Sequence, residues 1–303
     1  MTRCLSALCL LLVTATAPAC SVEKFAINKL GDSLASSGTT YAADDDLELV
    51  GQALPFGLKL VESLLAESPE HRGLLFAAAS GFTEYAYVYV HQDADMMEAQ
   101  DLERAGALRT RARRLYLRAR DYGLRGLDTK HRGFSQQVRS DPKSAVAAAT
   151  KDDVALLYWT AASWASAISV SKDDPDLVAD QPIAEALVDR ALALDPDFDS
   201  GAIHGLLIAY EPARQGAAGD PLARSRRHFD RAVALSRGGL ASPFVSLAET
   251  VSVQTQDRAE FESLLKQALA VDPDKRPEWR LQNLVVQRRA RWLLTRTDDL
   301  FAR

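Results

Sequence analysis

The feature that most constrains this chain is a short block that occurs twice, as Ala191-Leu192-Ala193-Leu194-Asp195-Pro196-Asp197 and as Ala268-Leu269-Ala270-Val271-Asp272-Pro273-Asp274. Between the two, Ala232-Val233-Ala234-Leu235-Ser236 keeps the spacing without the proline, and Leu64-Leu65-Ala66-Glu67-Ser68-Pro69 is a weaker early copy. Each block reads as the close of a helix. The alanine five residues before the proline lets a neighbouring helix approach, and the proline lacks the N–H that a further turn requires. Apolar residues recur at three- and four-residue spacing over 47–65, 73–90, 99–122, 154–170, 183–194, 202–210, 223–235, 244–253, 261–271 and 279–294, which predicts a helix over each. Turn chemistry separates them at Ser68-Pro69, Asp141-Pro142, Asp174-Pro175, Asp195-Pro196, Gly238-Gly239 and Asp272-Pro273. No run of alternating β-branched residues with hairpin turns interrupts the pattern.

Successive late copies begin 41 and 36 residues apart, near the tetratricopeptide period of about 34 residues. The expected fold is therefore all-α, with tetratricopeptide-like helical hairpins stacked into one curved repeat domain over residues 47–303. The length of 303 residues, with 47% hydrophobic and 25% charged, suits a soluble chain with a sizeable core. Its net charge of −5 gives no general attraction to nucleic acid.

The first nineteen residues read as an export signal. Arg3 supplies a positive start, residues 4–13 are apolar, and small residues lead to Cys20. Ala17 stands where a lipoprotein signal usually has leucine, but Cys20 sits where the acylated cysteine becomes the mature N-terminus. Cys20 is accordingly the expected lipidation site, followed over residues 20–46 by a tether and one short helix. Ser21 after it fits an outer-membrane address, and the lipid would be the only contact with the membrane. Cutting there leaves one cysteine, which excludes an intrachain disulfide and a cysteine-rich metal site. Asp44-Asp45-Asp46 is expected to cap the helix that follows.

Two predicted helices are unusual. Residues 154–170 carry no charge, and their alanines and serines permit close approach on every side. The other carries Phe82, Tyr85 and Tyr89 in an aromatic stripe. Core packing and the lining of an apolar cavity both fit these side chains. In the second case Phe82, Tyr85, Tyr89, Tyr158, Trp159 and Trp164 line it.

Catalytic motifs are weak. Gly31-Asp32-Ser33-Leu34 resembles the nucleophile block of GDSL-type esterases, and Asp128 precedes His131. Those enzymes need a parallel sheet that is absent from the pattern here, and their Gly-x-Asn-Asp block is missing. The five histidines form no His-x-x-x-His pair, and no Gly-rich phosphate loop occurs. No catalytic set, metal or cofactor is expected. Arginines crowd one helix at 104, 109, 111, 113, 114, 118, 120 and 125; a solvated face or a dock for an acidic partner both account for them.

Several stretches together are similar to the TatT component family, tetratricopeptide lipoproteins associated with TRAP (tripartite ATP-independent periplasmic) transporters. They include Leu54-Pro55-Phe56, Phe82-Thr83-Glu84-Tyr85-Ala86, Asp152 through Trp164 with its Tyr-Trp-Thr-Ala-Ala core, Gly219-Asp220-Pro221 and Arg288-Arg289-Ala290-Arg291-Trp292. The resemblance implies a periplasmic helical-repeat protein partnering a TRAP solute-binding protein and handling an apolar, carboxylate-like small molecule. A scaffold that assembles envelope proteins without a ligand is the alternative, and self-association stays open.

Overall fold

The computed structural model describes Lys29, residues 38–214 and residues 216–302. Among these there are helices and turns but no strand, so the chain is all-α. The signal segment, Cys20 and the Gly31-Asp32-Ser33-Leu34 block lie outside the described residues.

The helices are α1 (Gly38–Ala42), α2 (Leu47–Glu67), α3 (Arg72–Ala86), α4 (Gln92–Met97), α5 (Leu102–Asp128), α6 (Phe134–Ser140), α7 (Pro142–Ala147) and α8 (Val154–Ser169). They continue as α9 (Pro175–Ala179), α10 (Gln181–Leu194), α11 (Ala202–Tyr210), α12 (Pro221–Ser236), α13 (Ser242–Leu247), α14 (Arg258–Ala270), α15 (Arg280–Thr295) and α16 (Thr297–Leu300). Two wide π turns, Tyr87–His91 and Ala248–Ser252, follow α3 and α13 without a break in the helical path.

The starts of these helices follow from side-chain capping. Asp46, last of the acidic triplet, accepts from the backbone N–H of Glu48 and Leu49 at 3.0 and 2.9 Å. At Asp141-Pro142, Asp174-Pro175 and Asp220-Pro221 the aspartate caps a helix whose first turn holds the proline. These dipeptides therefore open helices, whereas Asp195-Pro196 ends α10. The short α6, α7 and α9 span too few residues to show a period, and α5 runs six residues past Tyr122.

Packing alternates between two layers. Helix α3 lies between α2 and α5; α8 packs on α3, α5 and α10; α11 packs on α12 and α13, and α15 on α13 and α14. The block alanines mark close approaches, since Ala191, Ala232 and Ala268 are all buried. Gly201, at φ 99°, begins the approach of α11 to α12, because a Cβ there would stand 3.1 Å from the Ala232 Cα. On α5, a methyl at Gly123 would overlap the Thr160 hydroxyl of α8. The uncharged α8 is covered on several sides, with Leu156, Leu157, Ala161, Trp164 and Ala167 in the largest core cluster. Each such large side chain contributes about 1.5–3 kcal/mol by leaving water.

The last long helix returns to the first. Arg280 of α15 donates to the Ala43 carbonyl at 3.1 Å, and Arg288 to the Val88 carbonyl at 2.7 Å. Helices α8, α11, α13 and α15 are the inner helices, which contribute side chains to one shared cavity, and α5, α10, α12 and α14 pack behind them.

Candidate functional site

Helices α8, α11, α13 and α15 meet around a cavity of about 160 Å³. Tyr158 of α8, Asp199, Ser200, Leu206 of α11, Ser242 of α13 and Gln282 of α15 line it, with Trp279 and Pro243 forming apolar wall. The Tyr158 ring of α8 and the Phe198 ring, just before α11, lie 5.6 Å apart.

The loop before α11 is unusual. Asp199, Ser200 and Gly201 follow one another at φ 42°, 55° and 99°. A left-handed backbone costs a non-glycine residue about 1–3 kcal/mol and is held only where the surroundings fix it. Here it places Asp199 at the cavity and starts α11 with no side-chain cap. Ala202, the first residue of α11, lies on the same wall, its N–H donating back to the Phe198 and Asp199 carbonyls.

Electrostatics extend the site to α3. Water reaches Glu84, yet desolvation by surrounding protein, reinforced by the charge of Asp199, pushes its pKa up to about 7. A carboxyl that is wet and still desolvated sits in a concavity rather than on an outer face. Desolvation likewise raises Asp199. Tyr158 is raised by desolvation first, then by the charges of Asp199 and Glu84. The three groups thus feel one another across a common lumen. Neither carboxylate has an ion-pair partner among the described residues, and the Tyr158, Ser200, Ser242 and Ser246 hydroxyls and the Gln282 amide make no hydrogen bond there. Such a lining can exchange hydrogen bonds with an occupant without first breaking its own. No group of three or more His, Cys, Asp or Glu side chains among the described residues could hold a metal ion.

The six aromatic residues singled out in the sequence separate into different places. Tyr158 lines the cavity, and Trp159 is half-buried beside it, its ring 5.1 Å away. Trp164 is fully buried, and its indole donates to Asp180 at 3.1 Å. Phe82 is buried and stacks on Tyr122 of α5 at 6.0 Å. Tyr85 accepts from Arg111 of α5 at 3.1 Å, and the Tyr89 hydroxyl donates to the Leu47 carbonyl at 2.9 Å. The stripe on α3 and its π turn therefore faces α2 and α5. Sequence reasoning passed over Glu84 and Asp199. Glu84 had a signal, being the one Asp, Glu, Lys or Arg between Arg72 and Asp93. Asp199 had none, since a left-handed turn at two non-glycine residues leaves no motif.

An "Uncharacterized protein" of Treponema pallidum (strain Nichols) is 28% identical over 300 residues, covering 93% of each chain. The family described as TRAP transporter T-component matches residues 43–301, including both acidic residues and all the inner helices. A match over most of its length makes the chain a member of the TRAP transporter T-component family.

Proposed function

We propose that the protein is a periplasm-facing lipoprotein, anchored through Cys20 to the outer membrane, that holds a small organic ligand in its lumen and docks a periplasmic solute-binding protein. Family membership gives it a part in a transport system of the cell envelope. The observation that carries the ligand role is the cavity of about 160 Å³ with its unpaired hydrogen-bonding groups. Trp279, Leu206 and Pro243 suit an apolar body. A carboxylate head fits the Ser242 and Ser246 hydroxyls and the Gln282 amide, donors that make no hydrogen bond among the described residues. Glu84, with its pKa near 7, carries a proton in about half of the molecules at neutral pH. In that form it does not repel such a head. Tyr158, with Trp279, is an aromatic residue on the cavity wall placed to touch the ligand.

Uptake in intact cells tests this reading. Removing the protein should lower uptake of the substrate of its associated TRAP system, with wild type restoring it and Tyr158→Ala failing to do so. Unchanged uptake without the protein would contradict the role.

A further inference from the structure

The arginines of α5 and the aromatic stripe of α3 form one device. Arg104, Arg111, Arg118 and Arg125 recur every seven residues, and all four are exposed. That interval advances them about 10.5 Å along the helix and turns them only about 20° at each step. Three of the guanidinium groups rest on aromatic rings: Arg111 over Tyr85 at 5.7 Å, Arg118 over Phe82 at 5.2 Å and Arg125 over Tyr122 at 5.3 Å. Arg114, also exposed, borders the same face, where a shallow groove of about 410 Å³ runs between Arg114, Arg118, Tyr122 and Arg125.

Little negative charge answers this stripe. Arg118 is 3.4 Å from Glu62, but Arg111 meets only the Tyr85 hydroxyl and Arg125 only a backbone carbonyl, that of Pro69. The side chains of Arg104 and Arg114 make no hydrogen bond or ion pair among the described residues. Asp121, the acid in the groove, is paired with Arg120 at 2.8 Å. A guanidinium laid on a ring keeps its N–H edge outward and loses less freedom when it binds a carboxylate. In a chain of net charge −5, such a stripe orients an approaching acidic surface.

We propose that this face of α5 is the docking surface for an acidic protein partner, namely the solute-binding protein of the docking role proposed above, on which this inference rests. Three guanidinium groups held on rings at regular intervals match carboxylates held at fixed positions on a folded partner. Fluid lipid headgroups would not need that regularity. The face also offers little to insert into a bilayer, since Leu117 is half-buried and only Leu102, at its end, is an exposed large apolar side chain.

The test measures binding of the full-length protein to its solute-binding protein by calorimetry, using wild type, the stripe variant R104E/R111E/R114E and an equal-charge control, R132E/R227E/R291E. The control residues are exposed and lie outside the stripe. The expected result is at least tenfold weaker binding for the stripe variant alone, with unchanged Tm and with wild-type affinity falling as salt rises. Equal affinities, or equal weakening in both variants, would overturn the assignment of the surface while leaving the docking role intact. No binding by wild type would overturn the docking role itself. Stripe-dependent binding to vesicles of 30% phosphatidylglycerol in phosphatidylcholine, without binding to the protein, would overturn the class of partner.

Discussion

Arg289 of α15 donates to Asp95 of α4 at 3.1 Å although 194 positions separate them in sequence. The same guanidinium makes hydrogen bonds to Glu249 at 2.6, 2.9 and 3.0 Å. Although desolvation opposes its charge, Glu249, Tyr87 and Asp95 raise its pKa above the ordinary value. Glu249 belongs to one π turn, and Asp95 follows the other. One nearly buried cation therefore ties α15 both to α4 and to the π turn after α13, closing the last helices on the early ones.

Removing that cation should open the closure. Arg289→Met leaves Glu249 without this partner and Asp95 with only Arg109, at 3.4 Å, and the more distant His91. Breaking a buried pair typically costs about 3–5 kcal/mol, and the remaining Arg109 contact places this variant near the lower end. Urea unfolding should show the loss, together with faster proteolysis of α15. A change below about 1 kcal/mol would show that packing alone closes the ring.

Two aromatic substitutions should separate core from lumen. Trp164 is fully buried with its indole hydrogen-bonded, so Trp164→Ala should cost about 3–5 kcal/mol of stability. Tyr158→Phe removes a hydroxyl without a partner among the described residues and should change stability by less than about 1 kcal/mol. Thermal unfolding of the two variants side by side checks both. Comparable losses would place Tyr158 in the core rather than at the cavity.

Glu84 should make stability fall across the neutral range. Its folded pKa, about 7, lies above the ordinary glutamate value of 4.5, so the folded state holds a proton that the unfolded state has released. That contribution is full below about pH 4.5 and is lost as pH rises through 7. Water reaching the group reduces the effect to about 1 kcal/mol, or about 2–4 °C in Tm. Glu84→Gln should remove this part of the slope between pH 5 and 8. An unaltered slope would place the carboxyl in open solvent.

A histidine pair should act in the opposite direction. The Nδ1 atoms of His204 and His228 are 2.8 Å apart, so one ring donates to the other. Desolvation, then His204, pushes His228 down to about 4, and desolvation lowers His204 as well. The unfolded chain binds protons here that the folded chain does not, so stability is lost as pH falls from about 6.5 towards 4, by about 3 kcal/mol. His228→Gln should flatten that part of a Tm-against-pH curve. A curve identical to wild type would mean the pair is already charged when folded.

The helices and their order were legible because burial of one face imposes a period, and proline and aspartate mark the junctions. Close approach at Ala191, Ala232 and Ala268 could be read from the repeated block for the same reason. The lumen was harder to see. Phe82 and Trp164 have the composition of cavity-lining residues, but whether a ring faces a void or a neighbour depends on how layers stack over hundreds of residues. Phe82 and Tyr85 proved to support arginines of α5, a relation between helices that spacing within one helix does not encode. Glu84 stood out as a lone charge in an apolar stretch, but its electrostatic link to Asp199 arises only when distant layers stack together.

Blocking the lumen tests the central claim most directly. Gly205 lines the cavity, and nothing lies within 4 Å of where its Cβ would stand. Gly205→Trp should therefore fill the space while keeping the fold. Native mass spectrometry of protein purified from cells, followed by solvent extraction, should find a stoichiometric small-molecule adduct on wild type and none on the variant, with matching circular dichroism. A wild-type protein without adduct, or a variant that retains it, would contradict a ligand held in the lumen.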